Sequence, residues 1–169
     1  AISLMLCFLH AGLAPLDAMW RGFFTSISAF CNAGFALQSD SFISYANSPI
    51  ILSIISLTVF FGGIGPTVIF ELVDRRKIQG TKPPLSYFSK LIIWGSISLF
   101  IIPAFLFCAL EWNHAFAHLA PFDKFMNAIF HSTSLRTAGF NSINLAHLTD
   151  SSWSISLLLM VMGGSPLST

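Results

Sequence analysis

Apolar stretches alternate with short polar ones along this chain, and the apolar stretches come in two lengths. Residues 50–70 and 91–110 each contain about 20 residues without a charge, the length that a helix needs to cross a hydrocarbon core. Residues 17–30 and 123–135 are amphipathic, and as helices they would rise only roughly 20 Å. The pattern therefore predicts spanning helices and half-length helices, with Asp17 and Asp123 as the N-caps of the half-length ones.

Both half-length segments are followed by the same three residues, Ala33-Gly34-Phe35 in one case and Ala138-Gly139-Phe140 in the other. A polar loop and another apolar span then follow each copy, so the chain contains a parallel internal repeat. We predict one unit at residues 1–73 and another at 91–169, joined by a linker at 74–90. The unit at 1–73 should hold a partial first helix, a half-length helix at 17–30, a turn at 31–35 and a second helix at 50–70. The unit at 91–169 should hold a first helix at 91–110, a half-length helix at 123–135, a turn at 136–140 and a truncated second helix at 153–169.

Polar segments fix the expected orientation of the chain. Five of the eight basic residues lie in or next to the linker, namely Arg75, Arg76, Lys77, Lys82 and Lys90. Short basic loops remain on the cytoplasmic side, which favours a cytoplasmic linker over a lipid- or nucleic-acid-binding patch. Residues 38–48 are polar and are predicted to form a loop in water outside the membrane.

Composition agrees with a membrane protein and excludes several other classes. The chain is 54% hydrophobic and 9% charged, whereas soluble domains have about 25% charged residues. The net charge of +1 gives no indication of a nucleic-acid partner. Cys7, Cys31 and Cys108 lack metal-ligand spacing and are predicted to be small buried hydrophobes. No catalytic constellation is evident, so we expect an all-α membrane protein that is not an enzyme and has no resident cofactor.

A half-length helix followed by non-helical backbone is typical of a re-entrant pore loop. Carbonyls in such a loop lack helical partners, and dehydrated cations can satisfy them. Glycine suits the turn because it adopts positive φ and carries no side chain to block an ion. The C-terminal ends of the half-length helices would also attract a cation. Since two loops cannot enclose an ion, we expect a filter with four contributions and an internal piece of a longer protein.

Three segments resemble the Trk/Ktr/HKT superfamily of potassium transporters, especially its bacterial TrkH/KtrB membrane subunits. They are Cys31-Asn32-Ala33-Gly34-Phe35, Arg136-Thr137-Ala138-Gly139-Phe140 and Gly163-Gly164-Ser165-Pro166. The resemblance implies four joined helix–pore loop–helix units, of which this chain would hold the second and third. It further implies a filter formed by Asn32, Ala33, Gly34, Phe35, Thr137, Ala138, Gly139 and Phe140, with K⁺ bound by carbonyls near Gly34 and Gly139. The implied gate comprises Gly163, Gly164, Ser165 and Pro166, although Leu167 stands where the family commonly has a small residue.

The function implied by the resemblance is potassium uptake across the inner membrane of a bacterium. Its implied partners are the missing first and fourth units, a second copy in a homodimer, membrane lipid, and a cytosolic nucleotide-binding subunit of the TrkA or KtrA kind. The transported ion would be K⁺ or, alternatively, Na⁺ in a sodium-conducting or sodium-coupled member. A non-transporting membrane scaffold with degenerate pore loops is the remaining alternative.

Two sets of residues allow two interpretations each. Gly62, Gly63 and Gly65 could form a hinge in the span at 50–70 or permit close helix packing, and we favour packing. The side chains of Asn32 and Thr137 could line the outer mouth of the path or brace the loop backbone, and we favour bracing.

Overall fold

The computed structural model describes residues 1–74 and 85–162, and no strand occurs among them. These described residues form seven α-helices: α1 (Ile2–His10), α2 (Pro15–Phe30), α3 (Pro49–Ile64), α4 (Pro66–Asp74), α5 (Tyr87–Glu111), α6 (Pro121–Thr133) and α7 (Asp150–Met162). Short 3₁₀ turns lie at Ile43–Tyr45 and Leu145–His147, and a π turn at Ser134–Ala138 continues α6. The predicted gate residues Gly163, Gly164, Ser165 and Pro166 lie outside the described residues, as does 75–84 of the predicted linker.

The helices of the two halves pack in a corresponding way. The short helix α2 lies against α1 and α3, and α6 lies against α5 while its π turn contacts α7. Helix α3 also packs against α6 and thereby joins the halves. The largest core cluster spans this junction, since it includes Phe8 of α1, Ile55 of α3 and Phe130 of α6.

Helix α5 is 25 residues long, with a mean hydropathy of 2.3 over its most apolar window, and is long and apolar enough to cross a membrane. The predicted span at 91–110 lies within it. The predicted span at 50–70 is divided, because α3 ends at Ile64 and α4 begins at Pro66. Gly65 between them has a φ of 87°, a conformation that glycine adopts readily. The break expected from the glycine-proline pattern is therefore complete, and it lies beyond the middle of the segment.

The predicted N-caps of the two half-length helices are wrong by three residues. Helix α2 starts at Pro15 after the N-cap Ala14, and α6 starts at Pro121 after Ala120. Proline is favoured at the first helical position because its missing N–H is not needed there and its φ suits a helix. Asp17 and Asp123 instead lie in the first turn of each helix, where a carboxylate stabilises the positive end of the helix dipole.

Candidate functional site

The two Ala-Gly-Phe turns, far apart in the sequence, meet in the structure. Both glycines have left-handed backbones, with φ of 72° at Gly34 and 76° at Gly139. An ideal Cβ placed on Gly34 would lie 1.8 Å from the carbonyl oxygen of Ala138 and 3.6 Å from the Cα of Gly139. The backbones of the turns are thus in direct contact, and position 34 has no room for a side chain.

A serine hydroxyl holds the carbonyl that follows each glycine. Ser28 Oγ donates to the carbonyl oxygen of Phe35 at 2.8 Å, and Ser134 Oγ donates to that of Phe140 at 2.6 Å. A carbonyl oxygen has two lone pairs, so the hydroxyl occupies one of them. These hydrogen bonds fix the direction of the last carbonyl in each turn.

Each half-length helix widens at its C-terminal end. The N–H of Ala33 donates to the carbonyl of Ser28, and the N–H of Gly139 donates to that of Ser134. Each bond is 2.8 Å long and joins residues five apart in the sequence, instead of the four of an α-helix. In the second copy the widening forms the π turn Ser134–Ala138, which contains Thr137. Such π-type turns are frequent at functional sites. They set the angle at which the chain leaves the helix and enters the Ala-Gly-Phe turn.

Helix α3 supports the first turn through its glycines. An ideal Cβ on Gly62 would lie 2.0 Å from the carbonyl oxygen of Phe30 and 3.4 Å from Nδ2 of Asn32, while one on Gly63 would lie 3.9 Å from the same nitrogen. The Asn32 side chain is buried, with its Nδ2 next to Gly62 and Gly63 of α3; the bracing interpretation stays a prediction. Close packing therefore explains Gly62, whereas Gly65 forms the break between α3 and α4.

The predicted filter residues differ in their exposure. Phe35 is 69% exposed, whereas Ala138 and Phe140 are buried. Ala33 and Gly139 are exposed. Cys31, which we predicted to be buried, is an exposed C-cap of α2. The prediction was wrong because Cys31 lies at the C-terminal end of α2, where no described core residue covers it, although its neighbours in the sequence are apolar.

Residues 38–48 are exposed or half-buried except at two positions, so the predicted loop also makes contacts with the core. Phe42 is fully buried and Ala46 is nearly so. Nδ2 of Asn127, in α6, donates to the carbonyl oxygen of Ala46 at 2.8 Å. The polar composition of the segment hid these contacts, because they are made with α6 and with the second turn.

A buried carboxylate ties α5 to α7. Glu111, the last residue of α5, is fully buried. It accepts hydrogen bonds from the N–H of Thr149 at 3.0 Å and from the hydroxyls of Thr149 and Ser152 at 2.7 and 2.5 Å. The N–H of Ala115 adds a fourth at 3.2 Å. A buried charge is tolerable when it is hydrogen-bonded in this way, and the carboxylate holds the N-terminal end of α7 in place.

The other end of α5 has the same arrangement. Glu71 of α4 accepts hydrogen bonds from the N–H and the hydroxyl of Ser86, at 2.6 and 3.0 Å, and from the hydroxyl of Ser89. Ser86 is the N-cap of α5. In a capping box, a Glu or Gln at the third residue of the helix accepts a hydrogen bond from the N–H of the N-cap residue. Here the accepting carboxylate comes from a different helix: Glu71 binds the N–H of Ser86 before α5, and Glu111 binds the N–H of Thr149 before α7.

Comparison with known proteins assigns the chain to a family. Residues 8–169, which include both turns, match the family model TrkH, described as cation transport protein. The chain belongs to the TrkH family. The expected membership of the Trk/Ktr group and the expected all-α membrane fold are confirmed.

Individual relatives of this TrkH-family chain are potassium uptake proteins by name. It is 37% identical to Ktr system potassium uptake protein B of Vibrio alginolyticus over 89% of its length, and 36% identical to Ktr system potassium uptake protein D of Bacillus subtilis over 90%. It is 28% identical to the potassium/sodium uptake protein NtpJ of Enterococcus hirae over 89% of its length. The aligned part covers 33%, 34% and 33% of these relatives, respectively, so the chain spans about a third of their length.

Several residues that shape the site of this TrkH-family chain were not predicted. Ser28 and Ser134 could have been found, because each lies in the last turns of a half-length helix before an Ala-Gly-Phe copy. Thr149 directly precedes α7, and threonine is a residue type favoured at an N-cap. The burial of Glu111 has no local signal, because three of its four hydrogen-bond donors come from the distant residues Thr149 and Ser152.

Proposed function

We propose that the full-length protein takes up K⁺ across the bacterial inner membrane through a filter of backbone carbonyls. The direct contact between the two Ala-Gly-Phe turns is the observation that carries this proposal, since it brings the carbonyls near Gly34 and Gly139 to one place. Both turns follow the C-terminal end of a half-length helix, where the helix dipole favours a cation. Carbonyl groups arranged in this way can replace the hydration shell of an ion.

Half of this filter comes from the chain, through the carbonyls at 32–35 and 137–140. The other half would come from a first and a fourth unit of the full-length protein. The hydroxyls of Ser28 and Ser134 support the proposal, because a filter needs carbonyls of fixed direction. We assign the gate to Gly163, Gly164, Ser165 and Pro166 and the basic linker at 74–90 to the cytoplasmic side. A homodimer with a nucleotide-binding regulatory subunit completes the proposed assembly.

Sodium is the second candidate ion. One relative is named a potassium/sodium uptake protein, and carbonyl rings discriminate between the two ions through their size and field strength. Uptake of K⁺ measured against increasing Na⁺ distinguishes a potassium-selective protein from a sodium-conducting or sodium-coupled one. A scaffold without transport would show no uptake of either ion.

The test uses the full-length protein in a bacterial strain that lacks potassium uptake. The wild type should restore growth at low K⁺, and Gly139→Ser should lower the preference for K⁺ over Na⁺. Gly12→Ser is the matched control, because Gly12 also has a left-handed backbone, with φ of 90°, and lies in the turn between α1 and α2. An unchanged preference in Gly139→Ser, with normal amounts of protein, would overturn the filter assignment. Absence of uptake by the wild type would overturn transport itself.

A further inference from the structure

The segment that follows the first turn also holds the second turn. Phe42 N–H donates to the carbonyl oxygen of Asn141 at 2.8 Å. The N–H of Asn141 donates to Ser41 Oγ at 3.1 Å. Both main-chain groups of the residue directly after Ala138-Gly139-Phe140 are therefore bound by two neighbouring residues of the other half.

The side chain of Phe42 strengthens this connection. Its ring is fully buried and lies edge-on to the ring of Phe140, with 5.3 Å between centroids and 79° between planes. The rings of Phe130, in α6, and Tyr45 also contact the Phe42 ring, each with 6.2 Å between centroids. Aromatic pairs in this geometry are stabilising beyond the area that they bury. The Phe140 side chain is thus held by a residue from the preceding unit.

One peptide group is bound at both ends as a result. The carbonyl of Phe140 and the N–H of Asn141 belong to the same peptide plane; Ser134 Oγ holds the carbonyl and Ser41 Oγ holds the N–H. Because a peptide group is planar, two such bonds fix its rotation. The plane lies one residue beyond Gly139, so its rotation constrains the direction of the Gly139 carbonyl.

We propose that Ser41 and Phe42 are positioning residues that set the ion selectivity of the neighbouring unit's turn. They touch no ion; they act by fixing the peptide plane and the ring of Phe140. The first turn contrasts with this arrangement, because its Phe35 side chain is 69% exposed. This inference rests on the proposed filter function and adds a residue pair that acts across the boundary between units.

The test compares Ser41→Ala and Phe42→Leu in the full-length protein with Ser44→Ala. Ser44 is exposed in the same segment, and its hydroxyl donates to Asp40 rather than to the second turn. Ser41→Ala should lower the ratio of K⁺ to Na⁺ uptake about three- to tenfold, the factor that one lost hydrogen bond corresponds to. Phe42→Leu keeps the N–H that binds Asn141 but loses the ring contact with Phe140, and it should lower the ratio by about two- to tenfold, the factor that one aromatic pair corresponds to. The amount of protein in the membrane should be retained, and Ser44→Ala should keep the wild-type ratio.

Gly139→Ser in the same assay separates the two proposals. If it changes the ratio while Ser41→Ala and Phe42→Leu do not, the positioning role is wrong and the filter assignment stands. If none of the three changes the ratio, the filter assignment fails and the positioning role fails with it. Phe42→Leu could reduce the amount of folded protein; Ser41→Ala removes only a hydroxyl and decides the question in that case. An equal loss of selectivity in Ser44→Ala would also overturn the proposal.

Discussion

The glycine of the first Ala-Gly-Phe turn packs against the backbone of another segment, whereas the glycine of the second turn is open and its neighbour Phe140 is enclosed by side chains. Ideal Cβ atoms on Gly34 and Gly62 would lie 1.8 and 2.0 Å from carbonyl oxygens. Around Gly139, no described atom other than those of its chain neighbours lies within 4 Å of the same position. Both turns nevertheless have the same left-handed backbone. The same tripeptide therefore requires glycine for conformation in both places and for space in only one.

The largest difference between the turns should appear when each glycine becomes alanine. Gly139→Ala should cost about 1–2 kcal/mol, because an L-residue in the left-handed region is strained. Gly34→Ala should cost this amount plus an overpacking cost of about 1–3 kcal/mol, since its Cβ would overlap the Ala138 carbonyl. Thermal unfolding of the full-length protein in detergent measures both. Equal losses in the two variants would show that the contact between the turns does not form.

A smaller loss of stability is expected from Gly62→Ala. The backbone of Gly62 is helical, so alanine causes no conformational strain there and only its Cβ lacks room. In an exposed helix interior, alanine is more favourable than glycine by about 0.8–1.0 kcal/mol. Close approach to Phe30 should reverse that sign, so Gly62→Ala should destabilise by about 1–3 kcal/mol. Gly95 of α5 is the matched control, because no described atom beyond its chain neighbours and its own helix backbone lies within 4 Å of its Cβ position.

Opposite signs are thus expected for the two helical glycines in unfolding experiments. Gly95→Ala should raise the unfolding temperature and Gly62→Ala should lower it. A rise in the unfolding temperature of both variants would mean that α3 does not contact the C-terminal end of α2 at Gly62. The close backbone packing proposed for the first turn would then be wrong.

The sequence allowed the local parts of this comparison to be predicted, but not the contacts between distant parts. Segment length and periodicity predicted the half-length helices, and Gly65-Pro66 predicted the break after α3. The repeated tripeptide identified Gly34 and Gly139. Contacts such as Gly34 with Ala138 involve segments far apart in the chain, and no local pattern encodes which carbonyl approaches which glycine.

Polar composition concealed buried residues for the same reason. Residues 38–48 contain enough polar side chains to suggest a loop in water, yet Phe42 occupies the centre of an aromatic cluster. Glu111 is a second example, since a charged residue at the end of a span is usually placed in water. Three of the four donors that compensate its burial belong to Thr149 and Ser152, which the fold brings to it.

The smallest expected difference concerns the serine hydroxyls, which perform the same task in the two turns. Ser28 and Ser134 are both buried, but the residues whose carbonyls they hold differ in exposure: Phe35 is 69% exposed and Phe140 is 1% exposed. Water can replace a lost hydroxyl near Phe35, whereas a buried acceptor left unsatisfied costs about 1–3 kcal/mol. Ser134→Ala should therefore lower stability more than Ser28→Ala, which should cost less than about 1 kcal/mol. Thermal unfolding of the two variants in detergent gives the order directly. The reverse order would mean that solvent reaches the second turn as readily as the first, and that side chains do not enclose it.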